Sequence, residues 1–198
     1  MLSIKDNVIN EISIKKSRFI TFLYRVDSIH EIDNYLSCLN MDYSDSTHIC
    51  YAYILDNIKR FSDNGEPGGT AGMPILGVLE SNNLNHVLCV VVRYFGGIKL
   101  GANGLVRAYS SSCSSALSCT SIINLVSGRL CRISFPYDNT KIIDNLLRNC
   151  FISSKSYDSL VSYTFSISSD DFLIIGCEID KYGDLSIIGN CFIEKGIS

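Results

Sequence analysis

The sequence has 198 residues, of which 46% are hydrophobic and 19% are charged, and this composition is typical of a folded globular protein. The formal net charge of -3 argues against a general nucleic-acid coat protein, so any nucleic-acid contact must be a local patch. The chain begins without an apolar signal core and contains no apolar run long enough to span a bilayer, so we expect a soluble cytoplasmic protein without membrane contact.

Nine cysteines are scattered along the chain, and none forms a Cys-x-x-Cys pair. This pattern is typical of reduced, mostly buried thiols and predicts neither a zinc site nor a disulfide framework. The glycine-rich stretch at 93–104 lacks both the Gly-Lys-Ser/Thr end of a Walker A loop and the Gly-x-Gly-x-x-Gly spacing of dinucleotide-binding folds. We therefore expect no cofactor and no tightly bound metal, and weak magnesium binding at Asp63 and Glu66 stays open.

The first part of the chain predicts several strands and one helix. Apolar alternation and helical spacing place, in order, a strand at 8–14, a basic turn at 15–18, a strand at 19–26, a helix at 28–39 and a strand at 47–55 that ends at the turn-like pair 56–57. Ser28 is the expected N-cap of the helix, and Glu31 completes a capping box. The basic turn is typical of solubility charges at a sheet edge, and its alternative role is in a basic patch.

A loop at 61–76 contains two prolines, four glycines and two carboxylates, Asp63 and Glu66. The carboxylates suit an acid–base pair or a divalent cation site, and they also suit the capping of turns or of a helix that begins near Thr70. We favour capping, because one loop with two carboxylates fixes no catalytic geometry. His48 begins the preceding strand and is interpreted as a structural histidine, because no Cys or Ser nucleophile with an orienting third group is identifiable.

The central stretch combines a buried strand, a glycine loop and a helix. Residues 86–92 are an unbroken aliphatic run, which predicts a strand in the middle of a sheet. The helix after the loop is expected to begin near Gly104, and its free N–H groups and positive dipole end favour binding of a phosphate or carboxylate. The residues of this predicted anion site are Arg93, Gly96, Gly97, Lys99, Gly101, Gly104 and Arg107.

The same glycines have a second interpretation. They also permit a tight crossing from strand to helix against neighbouring backbone, and the local spacing does not separate the two alternatives. Because Arg93 ends a buried strand, pairing with Glu66 or Asp63 inside the protein is the alternative to a place in the anion site. A helix at 73–79 is expected to pack on the sheet, and the serines at 110–115 are expected on the exposed side of a helix.

The second half of the chain predicts a separate α/β pattern after a short break at 126–128. Its expected elements are a strand at 129–135, a helix at 139–149, strands at 152–157 and 159–166, a helix at 169–181 and a strand at 185–193. This β-α-β-β-α-β order is the ferredoxin-like signature. We therefore expect two domains, 1–125 and 129–198, joined by a short linker that a protease would cut.

Three motifs, spread over the N-terminal two thirds of the chain, carry a family resemblance. They are KKSRFI at 15–20, FSDNGEP at 61–67 with GTAG at 69–72 and Pro74, and RYFGG at 93–97 with LG at 100–101 and GLVRAY at 104–109. Together they resemble the bacterial branch of the IMPACT family, the YigZ-like proteins. The residues that we single out in the second motif are Asp63, Gly65, Glu66 and Thr70.

The sequence departs from the family pattern at two positions. Asn64 stands where the family usually has a second Asp, which weakens a metal or acid–base proposal built on paired aspartates. Asn103 stands where the family usually has Gly, and Asn still tolerates a left-handed backbone.

The resemblance implies an α+β protein with two domains. The first would be an α/β sandwich like the second domain of ribosomal small-subunit protein five, and the second would be ferredoxin-like, similar to the last domain of elongation factor G. The resemblance also implies a link to translation, because eukaryotic family members, which carry an additional partner-binding domain, modulate translational control.

We therefore expect a translation-linked regulatory protein that binds the ribosome, RNA or a translation protein through the glycine loop. A second hypothesis is a small-molecule or phosphate-ester enzyme in which Asp63 and Glu66 face His48 and Arg93 across a cleft, with no catalytic residue assigned. The third is a protein-interaction module. A deep pocket with clustered carboxylates would favour an enzyme, and a shallow basic groove would favour an RNA surface. The oligomeric state stays open.

Overall fold

The computed structural model describes residues 1–195, which form two compact units. The first unit runs from Met1 to Ile123 and the second begins at Asn124. The elements of the first unit are, in chain order, β1 (Leu2–Ile4), β2 (Val8–Ile14), β3 (Ser17–Arg25), α1 (Ile29–Asp42), β4 (His48–Leu55), β5 (Ile58–Ser62), α2 (Gly72–Ser81), β6 (Val87–Tyr94) and α3 (Ala102–Leu117).

The sheet of the first unit has the strand order β2-β3-β6-β4-β5, with antiparallel neighbours throughout. Strand β6 lies in the middle, as its aliphatic run predicts, and its residues from Val87 to Arg93 are all buried. Successive side chains of a strand point to opposite faces, so β6 contributes to two cores. Cys89 and Val91 belong to one core and Val90 and Val92 to the other.

Helices cover both faces of this sheet. On one face, Ile75 and Leu79 of α2 pack together with Leu105 and Tyr109 of α3 against the strands. On the other face, α1 packs through its buried Ile32 and Leu39. These positions have the spacing of an amphipathic helix.

The start of α1 confirms the predicted N-cap. The Glu31 N–H donates to Ser28 Oγ over 3.2 Å, and Glu31 Oε2 in return accepts from the backbone N–H of Asp27 over 2.9 Å. The reciprocal bond of this capping arrangement therefore reaches one residue before the N-cap.

Three features of the first unit differ from the sequence predictions, and the first is strand β1, which was not predicted. Strand β5 was not predicted either, because it lies at the sheet edge and its two apolar residues, Ile58 and Phe61, stand three positions apart and show no strand period. The serine cluster is not wholly exposed either, because Ser112 is buried and its hydroxyl lies 2.5 Å from that of Thr21.

The second unit has the predicted ferredoxin-like order. Its elements are β7 (Ile122–Phe135, whose first two residues belong to the first unit), a 3-10 turn (Tyr137–Asn139), α4 (Thr140–Leu146), β8 (Phe151–Tyr157), β9 (Val161–Ser168), α5 (Ser169–Ile179) and β10 (Asp184–Lys195). The antiparallel strands lie in the order β10-β7-β9-β8, and a core that includes Phe135, Ile143 and Phe165 lies between the sheet and the helices. The α+β fold class is thus confirmed.

The break predicted at 126–128 is wrong. Strand β7 continues through these residues and pairs with β10, with Val126 opposite Ile193 and Gly128 opposite Cys191. Gly128 permits close packing and does not mark a turn, because a Cβ there would lie 2.7 Å from Ile193 Cδ1. A protease needs unpaired backbone, so the expected cut at this place loses its basis.

No helix within residues 1–195 combines the length and the apolar character that crossing a membrane requires.

Candidate anion-binding site

A cavity of about 370 Å³ in the first unit brings together several of the residues singled out from the sequence. Its walls come from the start of β4, the loop before α2, the glycine loop and the first turn of α3. We call the loop before α2, which carries Asp63 and Glu66, the acidic loop. The lining residues are Thr47, His48, Glu66, Pro67, Arg93, Phe95, Lys99, Leu100, Gly101, Ala102 and Leu105.

The pairing of β4 with β6 explains why the start of one strand meets the end of the other. These strands are antiparallel, and His48 lies opposite Arg93. Thr47 extends the connection, because its N–H donates to the Arg93 carbonyl over 2.9 Å and its hydroxyl oxygen accepts from the N–H of Phe95 over 2.9 Å. The sheet therefore fixes the histidine, the arginine and the start of the glycine loop relative to one another.

A buried ion pair forms one wall of the cavity. Glu66 is 8% exposed and Arg93 is 5% exposed, and Nη1 of the arginine donates to Oε1 of the glutamate. The Tyr109 hydroxyl donates to the same oxygen over 2.8 Å. Removing two charges from water is costly unless they are paired and hydrogen-bonded, and both conditions hold here. The internal pairing of Arg93, one of the two alternatives predicted from sequence, is therefore present.

The Arg93 guanidinium is held on several sides but is not fully hydrogen-bonded. It lies 5.5 Å from the ring centroid of Phe19 and 5.6 Å from that of Phe95, and Nη2 donates to Ser17 Oγ over 3.5 Å. Its buried Nε has no hydrogen-bond partner among the described residues. A buried donor without an acceptor is costly, so the ion-pair cluster carries this cost inside the protein.

His48 stands at the edge of the cavity with a defined tautomer. Its Nδ1 lies 2.8 Å from the carbonyl oxygen of Asn64, which can only accept, so Nδ1 carries a proton. Nε2 lies 3.9 Å from Glu66 Oε2. The ring also packs on Gly65, where an added Cβ would lie 3.3 Å from it and where φ is +83°. His48 thus connects the acidic loop with β4, in agreement with its structural interpretation.

Asp63 performs the capping role that the sequence analysis favoured. One carboxylate oxygen accepts from the N–H groups of Ala71 and Gly72 over 2.9 and 2.8 Å, and the other accepts from Gly69 over 2.8 Å. These bonds satisfy donors at the start of α2. Thr70 adds a turn, because its hydroxyl donates to the Pro67 carbonyl over 2.6 Å. The Asp63 carboxylate is therefore engaged in folding the loop.

Below Glu66 lie two buried groups that stay protonated. Burial raises the pKa of the Cys50 thiol to about 12 and raises that of the Tyr109 hydroxyl above its usual range. The thiol donates to the Asp63 carbonyl over 2.9 Å and lies 3.4 Å from the Tyr109 oxygen. Both groups therefore act as neutral donors beneath the ion pair.

The glycine loop has a structural role at one position and open space at others. A Cβ on Gly96 would lie 2.0 Å from the backbone of Lys16, so close approach to the β2–β3 turn demands glycine there. Gly97 and Gly101 have φ of +83° and +71° with nothing near the missing Cβ. Gly104 lies in the first turn of α3, where an added Cβ would lie 3.1 Å from the Cβ of Leu100. The tight-crossing interpretation therefore holds at Gly96, and the anion-binding interpretation stays a prediction.

The N-terminus of α3 faces the cavity. The helix begins at Ala102 after Gly101, both residues line the cavity, and no side chain in residues 1–195 caps this end. Lys99 lines the same cavity. Arg107 lies on the exposed surface of α3 and does not line it. The first-turn N–H groups and one lysine therefore converge on the cavity, and Arg107 is separate.

The structure adds functional candidates that sequence reasoning missed. In the sequence, Tyr109 and Phe95 were noted only as members of motifs, although Tyr109 donates to Glu66 and the ring of Phe95 lies beside the Arg93 guanidinium. The available signal was the position of Tyr109 in the GLVRAY motif.

Within residues 1–195, no three His, Cys, Asp or Glu side chains come together as a set of metal ligands.

The fold and the site define a two-unit α+β protein whose first unit carries a cavity at a helix N-terminus. A sequence profile of the Impact N-terminal domain matches residues 15–117, which include every residue that lines this cavity. The chain belongs to the IMPACT family.

Two relatives agree with this assignment, and a solved structure shares the fold. The IMPACT family member YvyE of Bacillus subtilis (strain 168) is 40% identical over 149 residues, which are 74% of this chain and 69% of the relative. An IMPACT family member of Haemophilus influenzae is 35% identical over 147 residues, or 72% of this chain and 71% of the relative. The crystal structure of a hypothetical protein matches with a TM-score of 0.65 and 28% identity, covering 95% of this chain and 96% of that one.

Proposed function

We propose that this protein is a translation-linked RNA-binding protein and that its cavity holds a phosphate of the RNA backbone. The link to translation follows from what the IMPACT resemblance implies. The observation that carries RNA binding is that the uncapped α3 N-terminus, Lys99 and Arg93 line one cavity. Helix N-termini favour anions through their free N–H groups and their dipole.

The two basic side chains have different tasks in this proposal. Glu66 balances the charge of Arg93, so this arginine supplies a positioned donor and little net charge. Lys99 has no ion-pair partner among residues 1–195 and supplies the positive charge. A phosphate has oxygen acceptors for both kinds of donor, and a lysine that meets it releases a counterion.

The apolar part of the cavity favours a single strand over a duplex. Phe95 is 45% exposed and stands beside Lys99 in the cavity wall. An exposed aromatic ring next to a phosphate site can stack an unpaired base, which a paired duplex does not offer.

The enzyme hypothesis with paired carboxylates has less support. Asp63 accepts three backbone hydrogen bonds, and Glu66 is bonded to Arg93 and Tyr109. An acid–base pair needs groups that can reach the substrate and exchange protons with it. Binding is therefore the function that the geometry favours.

The test is the salt dependence of RNA binding. Lys99→Gln should reduce the magnitude of the slope of log K against log salt by about 0.7, the value for one single-strand phosphate contact, and should weaken binding roughly eightfold at about 0.05 M salt. The assay is fluorescence anisotropy with a labelled single-stranded RNA of about 12 nucleotides. Lys141→Gln removes an exposed lysine of the second unit and is the matched control. An unchanged slope for Lys99→Gln would contradict the proposal.

A further inference from the structure

The turn between β2 and β3 has an unusual backbone for its residues. Ile14 pairs with Ser17, so Lys15 and Lys16 alone form a two-residue hairpin loop. Both have positive φ, 45° and 66°. Positive φ at both central residues is the mark of a type I′ turn, which favours Asn-Gly because side chains with a Cβ are strained there. Two lysines in succession are therefore unfavourable for the backbone of this turn, and this cost favours a functional explanation for their presence.

The turn lies against the proposed RNA site. Gly96 of the glycine loop approaches the Lys16 backbone so closely that a Cβ would lie 2.0 Å from it. Ser17, the next residue, accepts hydrogen bonds from the Gly96 N–H over 3.2 Å and from Arg93 Nη2 over 3.5 Å. One short segment thus connects the turn, the loop and the buried arginine.

The two ammonium groups are available for a ligand. Lys15 and Lys16 are exposed, and neither has an ion-pair partner among the described residues. The neighbouring Arg18 differs, because both oxygens of the Glu11 carboxylate accept from its guanidinium over 2.9 Å. The basic motif therefore contains one neutralised and two free positive charges. On a protein with a net charge of -3, this is a local basic patch.

We propose that the Lys15–Lys16 turn is a second phosphate-binding element, which contacts the RNA strand beyond the nucleotide held in the cavity. The proposal rests on the function proposed above and extends its site. The hairpin is anchored by the β2–β3 ladder on one side and by Gly96 on the other, so it presents both ammonium groups from a fixed place. A strand whose phosphate meets Lys99 would continue across Gly96 to this turn.

Two double variants separate charge from backbone strain. Lys15→Asn with Lys16→Gly removes both charges and supplies the residues that a type I′ turn prefers, so its melting temperature should rise. Lys15→Gln with Lys16→Gln removes the charges and keeps the strain. If each lysine holds one phosphate, both variants should weaken binding of the labelled single-stranded RNA roughly 60-fold at about 0.05 M salt and reduce the slope magnitude by about 1.4.

The control is Lys5→Gln with Lys141→Gln, which removes two exposed lysines elsewhere and should leave the slope near that of the parent. Parental affinity in both turn variants, together with weakened binding in Lys99→Gln, would overturn the second element and leave the cavity site standing. Absence of RNA binding in the parent would overturn both. A lower melting temperature of the Asn-Gly variant would show that the lysines serve the fold and would also overturn the inference.

Discussion

The Glu66–Arg93 pair allows a quantitative test, because it is both the centre of the site and a buried ion pair. Their side chains are 3% and 6% exposed. Arg93→Met keeps most of the apolar volume but leaves the Glu66 carboxylate buried without its partner. Breaking a buried pair in this way costs about 3–5 kcal/mol of unfolding free energy.

Adding Glu66→Gln to that variant should recover most of the loss. The glutamine is neutral, so no charge stays buried, and its carbonyl oxygen still accepts from the Tyr109 hydroxyl. The remaining cost should be the lost contacts of the guanidinium with Phe19 and Phe95, about 0.5–1 kcal/mol each. The double variant should therefore lie about 1–2 kcal/mol below the parent.

Hydrogen–deuterium exchange of the β6 peptides at increasing urea concentration is a suitable measurement. It reports on the first unit alone, and two units need not unfold together. If the double variant unfolded at lower urea than Arg93→Met, the charge argument would be refuted, and shape or packing at Arg93 would explain the loss.

Three further perturbations test the same region by urea unfolding. Gly97→Ala should cost about 1–2 kcal/mol, because its backbone is left-handed. Gly96→Ala should cost much more, because its Cβ would clash with the Lys16 backbone, and equal costs for the two variants would contradict this reasoning. Asp63→Ala should cost about 2–4 kcal/mol through three lost charge-assisted bonds, and Asp63→Asn less; similar costs would count against capping by charge. Since burial raises the pKa of Cys50 to about 12 from 9.0, the unfolded thiol ionises first and stability should fall by about 1.4 kcal/mol per pH unit between the two pKa values, a component that Cys50→Ala should abolish.

Regular elements with a buried face could be predicted from the sequence. The aliphatic run of β6 and the helical spacing of α3 identify a strand–loop–helix unit at the centre of the first domain. Strand β5 could not be predicted in the same way, because an edge strand with exposed apolar residues has no buried face to impose a period. The break at 126–128 was predicted wrongly because Gly128 permits close strand packing, and such a glycine cannot be told from a turn glycine by sequence.

The candidate site was predictable in composition and only partly in geometry. The acidic loop and the glycine loop were both recognised, yet the partner of each carboxylate depends on contacts distant in sequence. Glu66 meets Tyr109 from 43 positions away, whereas Asp63 bonds to N–H groups six to nine positions along its own loop. The local capping role was therefore foreseeable, and the tyrosine in the ion-pair cluster was not.

The arginine and the lysines of the site differ in their surroundings, because Arg93 is fixed in a buried ion pair and the lysines are exposed to solvent and its ions. Replacing a buried ion pair by apolar residues is often neutral or stabilising. A leucine and a methionine in place of Glu66 and Arg93 could therefore stabilise the fold about as well as the ion pair does. What it supplies is a guanidinium fixed in the wall of the cavity. Lys99, Lys15 and Lys16 are exposed and hydrated, so salt competes with them directly. On the proposed function, RNA binding should then have a strongly salt-sensitive part from the lysines and a less salt-sensitive part from Arg93 and the α3 N-terminus, and the residual affinity of a triple Lys→Gln variant at high salt measures the second part.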